Sequence, residues 1–291
     1  MTPGQFIRWA PGALVRRTRS KARSSLLGRV ARTSLAVAPR QRLAFAWHEV
    51  RGGAPVGTWL LSDTRLPVTV RCRTRDLDVL REIFVDRAYA APAEIDEILS
   101  SRGQPRIVDL GGNIGLFGLW TLGRWRSALI HSFEPDPDNL AILERNVADA
   151  QVGSRWTITR ACAAPADGAV PFLAGQQPDS RILYGAQPAS GTPEVPAVDV
   201  FDHLQGADLL KIDIEGGEWP LLTDPRFGEL AVPAIVLEYH SYNCPDPARS
   251  GETARSLLEG AGYTVVETDR HPLGTGTLWA WKPSRGSSPR T

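Results

Sequence analysis

The sequence predicts an α/β protein on a mostly parallel seven-stranded sheet that ends in an antiparallel hairpin, with an N-terminal appendage in front. Three observations carry this reading. From about residue 106, β-like runs alternate with amphipathic helical segments. The last two β-like runs, 263–267 and 277–282, are joined by a loop too short for a crossover helix, so they must be antiparallel neighbours. The residues before about 105 follow neither pattern. At 291 residues, with 42% hydrophobic and 22% charged residues, the chain can bury a large core without disulfides.

Four segments are expected. Residues 1–48 form a basic arm, with a helix from Ser24 to Val37 that Pro39 would end. Residues 49–104 form a cap: β-like runs at 58–61 and 68–72, a helix at 76–84 with Asp76 as its N-cap, and a helix at 92–100. Residues 105–283 are the main domain, with strands near 106–110, 127–134, 156–161, 208–213, 234–240, 263–267 and 277–282. Helices at 116–122 and 137–148 connect the first three. Between the third and fourth strands, a Pro-, Gly- and Ala-rich stretch at 164–207 holds β-like pieces at 169–173 and 181–184, read as an inserted surface hairpin. Residues 284–291 read as a frayed, disordered tail.

All ten basic residues before Glu49 occur without a single Asp or Glu, which leaves a net charge of −9 on the rest of a chain whose total is +1. Such an arm suits nucleic acid, an anionic membrane face or an acidic carrier protein, or packs on its own acidic body. It is also rich in Arg and Ser and poor in acids, as organellar presequences are. Arg outnumbers Lys thirty to three, a composition that points to coding bias. Cys72, Cys162 and Cys244 lie far apart, without the pairs of a zinc site or a secreted disulfide framework. No apolar run approaches the ~20 residues of a membrane span. A cytoplasmic location is expected.

The sharpest local signal is Asp109-Leu110-Gly111-Gly112-Asn113-Ile114-Gly115, which follows a strand and opens a helix, the setting in which a Gly-rich turn lets a ligand approach the backbone. Gly111 and Gly112 permit the turn, Asn113 tolerates positive φ, and Gly115 permits close packing. Glu134 ends the next strand about twenty residues on, where an acid accepts hydrogen bonds from ribose hydroxyls. No Lys-Ser or Lys-Thr follows the glycines, which argues against a P-loop. A dinucleotide would call for G-x-G-x-x-G, and its pyrophosphate would be repelled by Asp109. The same acid suits the ammonium group of S-adenosylmethionine.

At this point the chain resembles the FkbM family of methyltransferases. The resemblance runs from about Arg71 to Trp281 and rests on Val108 to Gly115, Phe133-Glu134-Pro135, Leu210 to Glu218 and Leu237-Glu238-Tyr239-His240. It implies a class I, Rossmann-like methyltransferase fold, S-adenosylmethionine as donor, and most often O-methylation of a small molecule such as a natural product or sugar. The family usually carries a small residue such as Ala where Gly112 stands. By analogy with the fold, adenine would lie near Arg160, Ala161 and Cys162.

The acceptor should sit beyond the C-terminal strand ends. The fourth strand delivers Asp213 and the fifth Glu238 and His240, two apart and so on one face. His240 is the expected base, because an ordinary imidazole takes a proton near neutrality. Asp213 and Glu238 are candidate acid-base or substrate-binding groups, Asp213 also a cofactor contact, and Glu215 and Glu218 candidate helix caps. Lys211 should pair with one of these carboxylates. The set Asp213, Glu238 and His240 is equally compatible with a divalent cation that would acidify a hydroxyl. Cys162 reads as a wall residue, and Trp120, Trp125 and Trp219 as core. Three functions follow: O-methylation of a small molecule or a carrier-bound intermediate, cofactor binding without catalysis, and RNA methylation, for which the basic arm is the sole support.

Overall fold

In the computed structural model, which describes residues 22–175, 180–182, 192–271 and 274–282, the chain opens with α1 (Ala22–Thr33), a 3-10 turn at Ser34–Ala36 and α2 (Arg42–Arg51). The expected helix over 24–37 is thus shorter, and Pro39 opens a second 3-10 turn that leads into α2. The expected boundary at residue 48 falls inside α2. Val30, Ala36, Val37 and Phe45 are buried in one cluster with Leu77, Leu80 and Ile83, so this half of the arm belongs to the body. Its apolar residues are separated by Arg, which hid their common face. Residues 1–21 and the expected tail lie outside the described residues.

An antiparallel hairpin, β1 (Val56–Leu60) and β2 (Pro67–Arg71), precedes α3 (Asp76–Phe84) and α4 (Ala93–Ser100). Arg75, not Asp76, occupies the N-cap of α3. Asp76 is buried and accepts hydrogen bonds from the Arg71 backbone N–H (2.9 Å), Nε (2.9 Å) and Nη2 (2.8 Å). A carboxylate so positioned anchors the hairpin to the helix instead of capping it.

The main domain then alternates as expected through β3 (Arg106–Leu110), α5 (Leu116–Arg124), β4 (Leu129–Phe133), α6 (Pro137–Asp149) and β5 (Trp156–Thr159). An insert follows: β6 (Cys162–Ala164), β7 (Gly168–Leu173), β8 (Arg181–Ile182) and β9 (Glu194–Asp199). The expected β7–β8 hairpin is present as an antiparallel pair, but it is one edge of a four-stranded sheet of order β6-β9-β7-β8. Residues 183 and 184 of the expected second piece lie outside the described residues. The chain returns through β10 (Leu209–Ile212), α7 (Glu218–Leu222), β11 (Ala234–Tyr239), α8 (Ser250–Gly260), β12 (Thr264–His271) and β13 (Thr275–Trp281).

The seven-stranded sheet has the order β12-β13-β11-β10-β3-β4-β5, and β13 is antiparallel to both of its neighbours. This is the mostly parallel sheet with an antiparallel end that the strand count and short final loop predicted, and the class I methyltransferase architecture that the resemblance implied. Fully buried Leu110, Leu209, Leu210, Ile212 and Val236 make the central strands apolar throughout, as a sheet covered on both faces requires. Asn146 on α6 ties the N-terminal hairpin to this core: its Oδ1 accepts from Thr69 N–H at 2.6 Å, and its Nδ2 donates to the carbonyls of Thr69 (3.1 Å) and Ile114 (2.7 Å). No described helix is long and apolar enough to cross a membrane.

Candidate functional site

The order of the sheet reverses between β3 and β10, and the C-terminal ends of these strands open into the site. The loop after β3 turns through positive φ at Gly111 (+83°), Asn113 (+46°) and Gly115 (+87°). Gly111 and Gly112 N–H both donate to the Phe133 carbonyl, at 3.0 and 2.9 Å. A Cβ on Gly111 would stand 1.9 Å from the Asp213 carbonyl oxygen, so the loop and the β10 tip meet backbone to backbone. Gly115 faces inward, where a Cβ would approach Leu143 to 2.6 Å and Trp156 to 3.2 Å. It packs the start of α5 and does not line the site.

A cavity of about 820 Å³ lies above this loop, at the upper end of the range for small-molecule sites. Gly111, Gly112, Asn113, Glu134 and Cys162 line one part of it, and Asp213, Glu238 and His240 another. Of the expected cofactor residues, Asp109, Gly115 and Ala161 do not line it; Ala163, two residues beyond Ala161, does. Cys162 and Ala163, at the start of β6, both stand at the wall, and Arg160 turns outward to Glu144 (2.8 Å). Burial pushes the Cys162 thiol up, as suits an inert wall residue.

Glu134 is buried and accepts from the backbone N–H groups of Asn113 (2.7 Å) and Asp136 (2.9 Å). Burial nevertheless carries its carboxyl up to about 7. Asn113 Oδ1 is buried and accepts no protein hydrogen bond, an acceptor left at the cavity wall. A ribose-accepting carboxylate, an open amide oxygen, bare glycine backbone and the apolar Phe133, Cys162 and Ala163 together fit an adenosyl amino acid.

Asp109 cannot meet the cofactor's ammonium directly, because it is fully buried behind the loop. Ser132 donates to its Oδ2 at 2.9 Å, and Lys211 Nζ lies 3.2 Å from its Oδ1. Lys211 also lies 3.3 Å from Asp213 Oδ2 and donates to the Gly111 carbonyl at 2.7 Å. Burial works against the charge on Lys211, but Asp109 and Asp213 overcome it and hold the ammonium protonated. The expected Lys–carboxylate pair is therefore a bridge between two carboxylates that also clamps the loop.

At the other end, His240 is surrounded by acids. Glu218 Oε1 lies 3.2 Å from Nδ1 and accepts the His240 backbone N–H at 2.7 Å, while Nε2 lies 3.5 Å from Glu215 and 3.9 Å from Glu238. Burial would lower the imidazole pKa, but the Glu218 hydrogen bond and the charges of Glu218, Glu215 and Glu238 raise it to about 10. At neutral pH His240 is an imidazolium and cannot accept a proton, which overturns its expected role as base. Glu218 spans two roles, because its Oε2 also accepts Gly216 N–H at 2.8 Å ahead of α7. Glu238 is pushed well above the ordinary carboxylate range by burial and by Asp213, with His240 opposing.

Several lining residues went unforeseen. Tyr89 is buried and its hydroxyl donates to Asp213 Oδ2 at 3.4 Å. Glu82 on α3 lines the cavity and is raised by burial and by Asp213. From the insert come Phe172, Arg181 and Ile182, with the Arg181 guanidinium 5.3 Å from the centre of the Tyr242 ring. The polar face of α3 was the available signal: Asp78 and Glu82 lie one turn apart. One ligand atom each from Asp213, Glu238 and His240 lies within 4.8 Å of the others, so this set can close on a divalent cation once His240 gives up its proton.

Comparison with known proteins agrees with this geometry. Residues 109–265 match the Methyltransferase FkbM domain. The chain is 29% identical over 216 residues to "Methyltransferase 1" of Beauveria bassiana (strain ARSEF 2860), covering 64% of this chain and 80% of that protein. It is 26% identical over 234 residues to "31-O-demethyl-FK506 methyltransferase FkbM" of Streptomyces tacrolimicus, covering 68% of this chain and 85% of that one.

Proposed function

The chain belongs to the FkbM methyltransferase family and uses S-adenosylmethionine, and from that premise we propose that it methylates a hydroxyl group of a small molecule, with Glu238 as proton acceptor. The bound cofactor supplies an electrophilic methyl group. The observation that carries the proposal is the company of Glu238: a half-buried carboxylate of raised pKa, in the same cavity as the glycine loop, with His240 Nε2 3.9 Å away. A carboxylate whose pKa stands above its usual range is a better match for a hydroxyl proton than an ordinary one.

His240, held as a cation by Glu218 and Glu215, works against the upward shift of Glu238 and favours its ionised form. Tyr89 and Lys211 orient Asp213 by approaching the same oxygen, Oδ2, and leave Asp213 Oδ1 for a hydroxyl donor. Glu134 and Asn113 hold the cofactor end, against the side-chain-free wall of Gly111 and Gly112. A 26% identical relative whose name specifies O-demethyl-FK506 supports oxygen as the accepting atom.

The test is radiolabelled methyl transfer into a panel of hydroxylated metabolites, with product analysis to identify the methylated atom. Glu238→Gln should lower turnover about 10²–10⁴-fold, while calorimetric affinity for S-adenosylmethionine stays near wild type. Full turnover of that variant would remove Glu238 as base. Loss of turnover on chelation, restored by magnesium, would assign Asp213, Glu238 and His240 to a cation instead.

A further inference from the structure

The surface of the N-terminal helices is unlike the rest of the molecule. Four of the five large hydrophobic side chains exposed among the described residues lie there: Leu27 (63% exposed), Leu35 (48%), Leu43 (87%) and Trp47 (63%). The fifth, Val266, is on β12. They are ordered by helical spacing. Leu27, exposed Ala31 and Leu35 follow one another at four-residue intervals along α1 and its 3-10 turn, and Leu43, Trp47 and exposed Arg51 do so along α2. The opposite faces carry buried Val30 and Phe45 into the core. Both helices therefore have two apolar faces, and the tertiary structure explains one.

Charge accompanies the outward face. Arg51 is exposed on it with its guanidinium 5.1 Å from the centre of the Trp47 ring, and Arg40 is exposed in the 3-10 turn that leads into α2. The 21 residues preceding α1 repeat the composition, with Phe6, Ile7, Trp9, Leu14 and Val15 set among Arg8, Arg16, Arg17, Arg19 and Lys21, and no acid. This unit lies outside residues 109–265, the part that carries the shared methyltransferase chemistry.

We propose that the exposed face of α1 and α2 docks the protein on an anionic lipid surface. Three physical arguments select this occupant. Leucine and tryptophan standing out from the surface enter the headgroup and acyl boundary without a matching pocket, because that phase is fluid. Trp with a neighbouring Arg is the pairing that membrane interfaces favour. The exposed cations Arg40 and Arg51 are drawn to phosphatidylglycerol or phosphatidylserine headgroups over the Debye length. Nucleic acid would draw on the cations and leave the leucines unused. A docked protein on this face would act on acceptors that are themselves membrane-associated, or are delivered there.

The test is flotation of the full chain with vesicles of phosphatidylcholine alone and of phosphatidylcholine mixed with phosphatidylglycerol. Binding is expected only to the mixed vesicles and should weaken as salt rises. Leu43→Glu combined with Trp47→Glu should reduce vesicle affinity about tenfold or more, since each wild-type side chain would bury enough apolar surface for such a factor. The variant's melting temperature and S-adenosylmethionine affinity should stay unchanged, because both side chains point away from core and cavity. Failure to float with either vesicle, or equal flotation of variant and wild type, overturns the proposal. So does a dimer that dissociates in the variant, or binding to an acidic carrier protein or RNA, when vesicle binding is absent.

Discussion

Lys211→Met tests whether the clamp beneath the cofactor loop holds the fold by charge. Methionine keeps most of the volume of the lysine stem, so the change removes an ammonium without opening a large cavity. The ammonium is 3% exposed and lies 3.2 Å from Asp109, which is fully buried. Removing one partner of such a pair costs about 3–5 kcal/mol, because the other charge is left uncompensated. The lost donor to the Gly111 carbonyl, at 2.7 Å, contributes within that range. Taking about 4 kcal/mol and about 2 °C per kcal/mol for a chain of this size, the melting temperature should fall by about 8 °C.

The pH dependence gives an independent check. Asp109 already stands above the ordinary carboxylate range through burial, and Lys211 is what holds it down. In Lys211→Met its folded pKa rises further. A carboxyl group whose folded pKa exceeds its unfolded value contributes stability below the unfolded value and loses it as pH rises through the folded one. The deficit should therefore be largest at alkaline pH and shrink as pH falls toward the ordinary carboxylate range. Adding Asp109→Asn, which removes the stranded charge, should recover most of the loss. Circular dichroism melts of the single and double variants decide the matter. A fall under about 2 °C, a deficit independent of pH, or no rescue by Asn would refute the charge argument.

Glu134, raised to about 7 by burial, should make folding stability decline as pH climbs from its unfolded value, near 4.5, through 7. Urea titrations should show Glu134→Gln flattening that decline, and an unchanged slope would show that Glu134 is not its source. Asn146→Ala leaves two backbone groups of Thr69 and the carbonyl of Ile114 unpaired in a fully buried position, at a cost of about 3 kcal/mol. A melting temperature lowered by about 6 °C is expected, and a shift below about 1 °C would mean that the hairpin docks by apolar packing alone.

The sheet was legible because its signals are local. Alternation of β-like and helical runs, and a short connection before the last strand, are properties of neighbouring residues. The glycine loop and Glu134 were legible for the same reason, since a turn, a strand tip and twenty intervening residues define both. Pairing at a distance was not. Nothing in the sequence around Asp109 says that Lys211, about a hundred residues later, takes its charge, and so Asp109 read as a cofactor contact. His240 read as a base because its imidazole was taken at its ordinary pKa; Glu218 and Glu215 reverse that only once α7 folds back over β11. The arm read as an appendage because its buried residues, Val30, Val37 and Phe45, sit among arginines that face outward or reach Asp78 and Asp86.

The contact between Gly111 and the Asp213 carbonyl has an evolutionary side. Because no side chain stands between the donor loop and the β10 tip, and Lys211 binds both, these two pieces cannot drift apart independently. The floor of the cavity is thus a single mechanical unit. Phe172, Arg181 and Ile182 of the insert, and Glu82 of α3, stand on elements joined to that floor by loops. Substrate range can diverge by exchanging these walls while the methyl-donor apparatus is carried along unaltered.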